Sequence, residues 1–156
     1  ELTPSARVSQ KADLAVLALI KMISEITRAQ KLQKYKNNKG LQERISNYNG
    51  VKMGFGLHVG WAIEGPIGSE YKIDASYLSP HVHMASRLEA ATKGYGASML
   101  ITGAVYDLMT TNKSHLRQVD RVIPDGESEI MNLYTVDLIP KHLFDEVGVK
   151  EEKSLD

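Results

Sequence analysis

From Val8 to Ile26 the apolar residues return at every third or fourth position: Val8, Ala12, Ala15, Val16, Leu19, Ile20, Ile23 and Ile26. That period gathers them into one stripe along a helix, placed at Ser9 to Gln30. Ser5 or Ser9 can cap its start, and Asp13 lies toward the positive end of its dipole. Past Gln30 the stripe fades. Residues 31–50 are rich in Lys, Asn and Gln and read as a solvated helix end followed by a loop. The run Lys31, Lys34, Lys36 and Lys39 reads as a wet surface rather than a phosphate site.

From Val51 the period becomes two. Met53, Phe55, Leu57 and Val59 alternate with Gly54, Gly56, His58 and Gly60, so one face of a strand is apolar and the other nearly bare. Glycines along one strand face signal the close approach of another backbone or a ligand. Trp61 to Glu64 can continue this strand, Gly65-Pro66-Ile67-Gly68 reads as a turn, and Tyr71, Ile73, Ala75 and Tyr77 form a second strand. An antiparallel hairpin is the expected result. Ser79-Pro80 then supplies a cap and a first-turn proline for a helix running to about Lys93, which Gly94 and Gly96 stop. A short buried strand follows at Ser98 to Ile101, and Thr102 can cap a short helix through Val105, Leu108 and Met109. Leu116 to Ile123 and Ile130 to Leu138 pair across the turn Pro124-Asp125-Gly126. The order α–β–β–α–β–α–β–β is an α+β domain.

With 156 residues the chain holds one ordinary domain. Its 19 basic and 19 acidic residues cancel, which argues against a dedicated nucleic-acid binder. It has no cysteine, so a disulfide scaffold and a thiolate metal site are excluded. The longest apolar stretch, Leu14 to Ile20, cannot span a bilayer. The charged segment 140–156 is expected to be a tail or linker, and the lack of an initial Met suggests a piece of something longer.

Three linked patterns go further. The strand Gly54-Phe55-Gly56-Leu57-His58-Val59-Gly60, the turn Gly65-Pro66-Ile67-Gly68-Ser69 and the helix opening Val82-His83-Met84-Ala85-Ser86-Arg87-Leu88-Glu89 occur in one order and at one spacing. Together they resemble the catalytic domain of class III adenylate and guanylate cyclases, most closely those of single-celled eukaryotes. The resemblance implies a ferredoxin-like cyclase fold over residues 1–139. It also implies conversion of ATP or GTP to the cyclic nucleotide: the 3′-hydroxyl attacks the α-phosphorus and pyrophosphate leaves. Mg²⁺ or Mn²⁺ on paired aspartates is expected for such chemistry, as is a second cyclase-type domain, since the family works as homo- or heterodimers.

By the same resemblance Arg87 matches the arginine that stabilises the transition state. His83 stands where the family has an asparagine that orients the ribose, and Ser76 falls on the position that selects the purine. His83 and Arg87 are four residues apart and so share a helix face. A histidine cannot copy the paired donor and acceptor of an amide. Ser79-Pro80 replaces the usual Gly-Asp or Gly-Asn, and the late lysine that holds the triphosphate is missing at Glu127 and Ser128. No aspartate precedes the first helix, so metal ligands are absent from this chain and the first strands and helices of the domain are expected to be lacking. Two functions follow. One is part of a cyclase completed by its missing segment and a dimer partner; the other is a degenerate cyclase-like domain acting as a dimerisation, structural or regulatory module. The expected place is the cytoplasmic side of a parent protein that is membrane-bound or ciliary.

The histidines admit other readings. His58 is expected to pack or hydrogen-bond rather than catalyse, and His58, His81 and His83 are not expected to share a zinc ion, because positions 81 and 83 point to different sides of a helix. Arg87 could pair with Glu89 or Asp74, and Trp61 reads as core or interface.

Overall fold

The computed structural model describes residues 3–138 apart from positions 47 and 127; the expected tail at 140–156 lies outside them. Helix α1 (Pro4–Arg28) begins five residues before the expected start, because Thr3 is the cap. Its hydroxyl accepts from the Ala6 amide at 3.2 Å, and Pro4 takes the first helical position, where no amide is needed. Asp13 therefore sits in the third turn, away from the positive end of the dipole. Two short helices follow in the segment expected to be mostly loop, α2 (Gln30–Lys36) and α3 (Lys39–Arg44). Asn38 caps α3 by accepting from the Leu41 amide.

Strand β1 (Phe55–Leu57) does not enter the hairpin expected of it. It pairs in parallel with β4 (Met99–Thr102). The hairpin is built instead from β2 (Ile63–Ser69) and β3 (Lys72–Leu78), in register from Ile63–Leu78 to Ser69–Lys72. Gly65-Pro66-Ile67-Gly68 thus lies inside a strand, and the chain reverses at Glu70-Tyr71. Pro66 is tolerated because a two-stranded ribbon has only edge strands. Helix α4 (Pro80–Tyr95) leads to β4, and α5 (Gly103–Leu108) follows it directly. The last strands, β5 (Leu116–Val122) and β6 (Met131–Val136), pair antiparallel as expected.

The main sheet has the order β1-β4-β6-β5. Period-two alternation along β4 splits the core: Met99 and Ile101 pack with Val16, Ile23, Val105 and Met109 beneath α1 and α5, while Leu100 packs with Met84, Leu88 and Leu133 beneath α4. The bare face of β1 explains how close α4 comes. A Cβ on Gly54 would strike the Thr92 side chain, and one on Gly56 would strike the Ala85 carbonyl and the Glu89 amide. The close approach that these glycines signal is that of a helix packed on the strand's face, while its edge pairs with β4.

On the other face, Asp13 ties α1 to the turn after α5. Its buried carboxylate accepts from the Thr110 hydroxyl at 2.7 Å and from the Thr110 and Thr111 amides at 3.2 Å. Burial pushes this carboxyl up, but the hydrogen bonds outweigh it and hold it below its ordinary value.

Candidate functional site

The predicted site residues depend on how α4 is held. Ser79 is buried and extended, with φ −172°. Its hydroxyl accepts from the His81 amide at 3.0 Å and donates to the Trp61 carbonyl at 2.5 Å. The same side chain thereby caps the helix and fastens it to the segment before β2. At the far end Gly96 adopts φ +62°, and the Ala97 amide reaches back to the Thr92 carbonyl at 3.1 Å. Tyr95 adds a hydrogen bond to Asp120 on β5 at 2.5 Å. That bond, with burial, pushes the tyrosine hydroxyl above its ordinary pKa, and the Tyr95 hydroxyl holds the Asp120 carboxyl below its ordinary value.

With Met84, Leu88 and Thr92 buried, the outer face of α4 presents His83 and Arg87, both exposed and one turn apart. Arg87 does not pair with Glu89 or Asp74; Asp74 pairs with Lys72 at 3.0 Å. Instead Arg87 Nη1 donates to the Asp125 carbonyl at 2.9 Å, and Nη2 lies 3.8 Å from the Asp125 carboxylate. Asp125 belongs to the β5–β6 turn and its side chain is fully exposed, so this is a screened surface contact that another anion can displace. Ser76 lies on β3 opposite Gly65, half-buried. The structure puts His83 and Arg87 on one face, and no hydrogen bond joins either of them to Ser76.

The role of Asp125 was not legible as more than a turn residue, since its partner lies 38 positions earlier. A second omission is a chain of three side chains. His58 Nδ1 is 3.0 Å from the Thr102 hydroxyl, and His58 Nε2 is 2.9 Å from His81 Nδ1. Trp61, 61% exposed and therefore not core, meets the His81 ring edge-on at 5.9 Å. A histidine on the glycine face of β1 and another in the first turn of a capped helix were the available signals. His83 stands apart from this pair, and among the described residues no three His, Asp or Glu gather where they could hold a metal ion.

A cavity of about 310 Å³ borders the chain, lined among others by His58, His81, Thr102, Asp107, Glu129 and Asn132. None of the described helices is long and apolar enough to cross a membrane.

Residues 3–137 match the family model of the adenylate and guanylate cyclase catalytic domain. The chain is 30% identical over 113 residues to an adenylate cyclase of Anabaena cylindrica, covering 71% of this chain and 22% of that protein. It is 33% identical over 91 residues to the terminal-differentiation-specific adenylate cyclase of Dictyostelium discoideum, covering 57% of this chain and 4% of that protein. The chain therefore spans less than a quarter of either relative. A solved structure of a bacterial light-regulated adenylyl cyclase superposes on 83% of this chain and 34% of its own, with a TM-score of 0.55 at 24% identity, a likeness of fold. The glycine-faced β1, the doubly anchored α4 and its His83–Arg87 face are thus carried by a chain that belongs to the adenylate and guanylate cyclase catalytic domain family.

Proposed function

We propose that this chain supplies the nucleotide-facing groups of a cyclase site, with ATP the first substrate to test because the relatives are named adenylate cyclases. The observation that carries the reading is the outward pair His83 and Arg87 on a helix fixed at both ends. In the cyclisation a 3′-oxygen bonds to the α-phosphorus as pyrophosphate departs, and negative charge grows on the non-bridging oxygens. Arg87 would offer its fork of N–H donors to those oxygens once they displace Asp125. His83 would donate one hydrogen bond toward the ribose, and the Ser76 hydroxyl would meet the edge of the purine.

Mg²⁺ or Mn²⁺ does not fit the described residues, which gather no ligand set, so no step is routed through it here. The carboxylates for it would come from another segment of the same protein or from a partner. Room for such a segment exists: β1 pairs on one side only among the described strands, and a cavity of about 550 Å³ opens at its start beside Ile23, Met53 and Phe55. The partner in this reading is a second cyclase-type domain, and the working place is the ATP-containing cytoplasmic side.

A second reading has its own support. Arg87 is turned to Asp125, and His83 stands in place of an amide, as expected of a domain that serves as a structural or regulatory partner.

The test is cyclic nucleotide production by the full-length parent protein with Mn²⁺ and ATP or GTP, beside His83→Asn and Arg87→Ala. Product from the unmodified protein, with turnover falling about a hundredfold in Arg87→Ala, supports the enzyme. Product only from His83→Asn marks a site disabled at that residue. Silence from both the unmodified protein and His83→Asn leaves the structural partner.

A further inference from the structure

The three-member chain beneath α4 has a property that neither a packing contact nor a metal site would have. Thr102 is fully buried, and His58 and His81 are half-buried. Each member can donate or accept, so two neutral arrangements satisfy it. In one, Thr102 donates to His58 Nδ1 and His58 Nε2–H donates to His81 Nδ1. In the other, His81 Nδ1–H donates to His58 Nε2 and His58 Nδ1–H donates to Thr102. One added proton is also accommodated, since a doubly protonated His58 donates in both directions. Two added protons are not, because two N–H groups would then face each other across 2.9 Å.

We propose that His58 and His81 share one proton through this contact, and that the pair, anchored on Thr102, positions the first turn of α4 and releases it when both rings are protonated. The surroundings are shaped for the pair. The His81 ring lies where a Cβ on Gly60 would collide with it, so the glycine makes its seat. The acidic residues that line the adjoining cavity are Asp107 from α5 and Glu129 from the segment before β6. From the segment before β2 the pair meets the uncharged Trp61. His83, on the same helix, belongs to the outer face. The consequence for function rests on the cyclase reading: with the first turn of α4 released, His83 and Arg87 lose their common frame and nucleotide turnover falls on acidification.

Trp61 is the chain's single tryptophan and touches His81, and a protonated imidazole quenches indole emission. The experiment uses the parent protein, with the signal of its Trp61→Phe variant subtracted, titrated between about pH 8 and pH 5. A quenching step is expected. His81→Gln should abolish it, because Gln keeps a hydrogen bond but takes no proton. His58→Gln should move it to higher pH by about one unit, because His81 no longer competes with a second imidazole. Thr102→Val, which keeps the shape and removes the anchor, should also move it. A step that survives His81→Gln, or one that His58→Gln leaves in place, overturns the proposal. Where the parent turns over nucleotide, its acid limb should shift with the Trp61 step in His58→Gln; an unmoved limb removes the positioning role. If no variant makes cyclic nucleotide while Trp61 behaves as expected, the cyclase reading fails and the proton-sharing pair stands.

Discussion

Asp13 is a carboxylate embedded in the inner face of a helix, and it is there for the turn after α5. Its three donors belong to Thr110 and Thr111, nearly a hundred residues along the chain. Because folding holds its carboxyl below the ordinary pKa, the stability it confers is full above the ordinary carboxylate value of about 3.9 and is lost as pH falls through the lower folded value. Asp13→Asn should therefore cost about 1–3 kcal/mol near neutrality. Thermal melts of the variant should also lose less stability than the parent's between about pH 5 and pH 2. Arg87 presents the opposite case, an exposed pair of little energetic weight. Asp125→Asn should leave the melting temperature within about a degree or two and tighten nucleotide binding about threefold, as read by calorimetry, because it weakens a competing surface contact. Neither partner could be read from the sequence. Asp13 looked like a dipole residue and Asp125 like a turn residue, since single-chain periodicity carries no record of contacts made dozens of positions away.

At the scale of elements, periodicity was a sound guide wherever one face is buried. The stripe on α1, the capped start of α4 and the β5–β6 pair all stand where the pattern put them. It failed between Val51 and Gly68, for two physical reasons, although the next strand, β3, stands where the pattern put it. Gly54 and Gly56 mark an approaching backbone without saying which element supplies it, and the answer is α4. Gly65-Pro66 punctuates like a turn, yet an edge strand tolerates both residues. The closeness of α4 makes Gly56→Ala a demanding substitution. It should destabilise by about 1–3 kcal/mol through overpacking, measured by chemical denaturation. The site was legible to the same degree: His83 and Arg87 share a helix face by spacing alone, whereas the His58–His81–Thr102 chain joins three elements and needed coordinates.

Over the whole molecule, the β2–β3 ribbon stands out from the layered core with its apolar side chains uncovered. Ile63 is 62% exposed, Ile73 68% and Tyr71 95%. A two-stranded ribbon is marginal alone, and if the proposed second domain covers it, burial of these side chains would add to the pairing. Ile63→Lys combined with Ile67→Lys, two positions on one ribbon face, should then shift the protein toward monomer in sedimentation velocity while leaving its melting temperature nearly unchanged, because neither side chain is buried in the single domain. The main sheet carries a consequence of another kind. The parallel partner of Phe55 is Met99, and Ile101 then waits for Tyr134. During synthesis the glycine-faced strand emerges more than forty residues before its partner β4. Such non-local pairing slows refolding. The last of the described strands to emerge, β6, is the one that joins β5 to the rest of the sheet and lets the domain become cooperative.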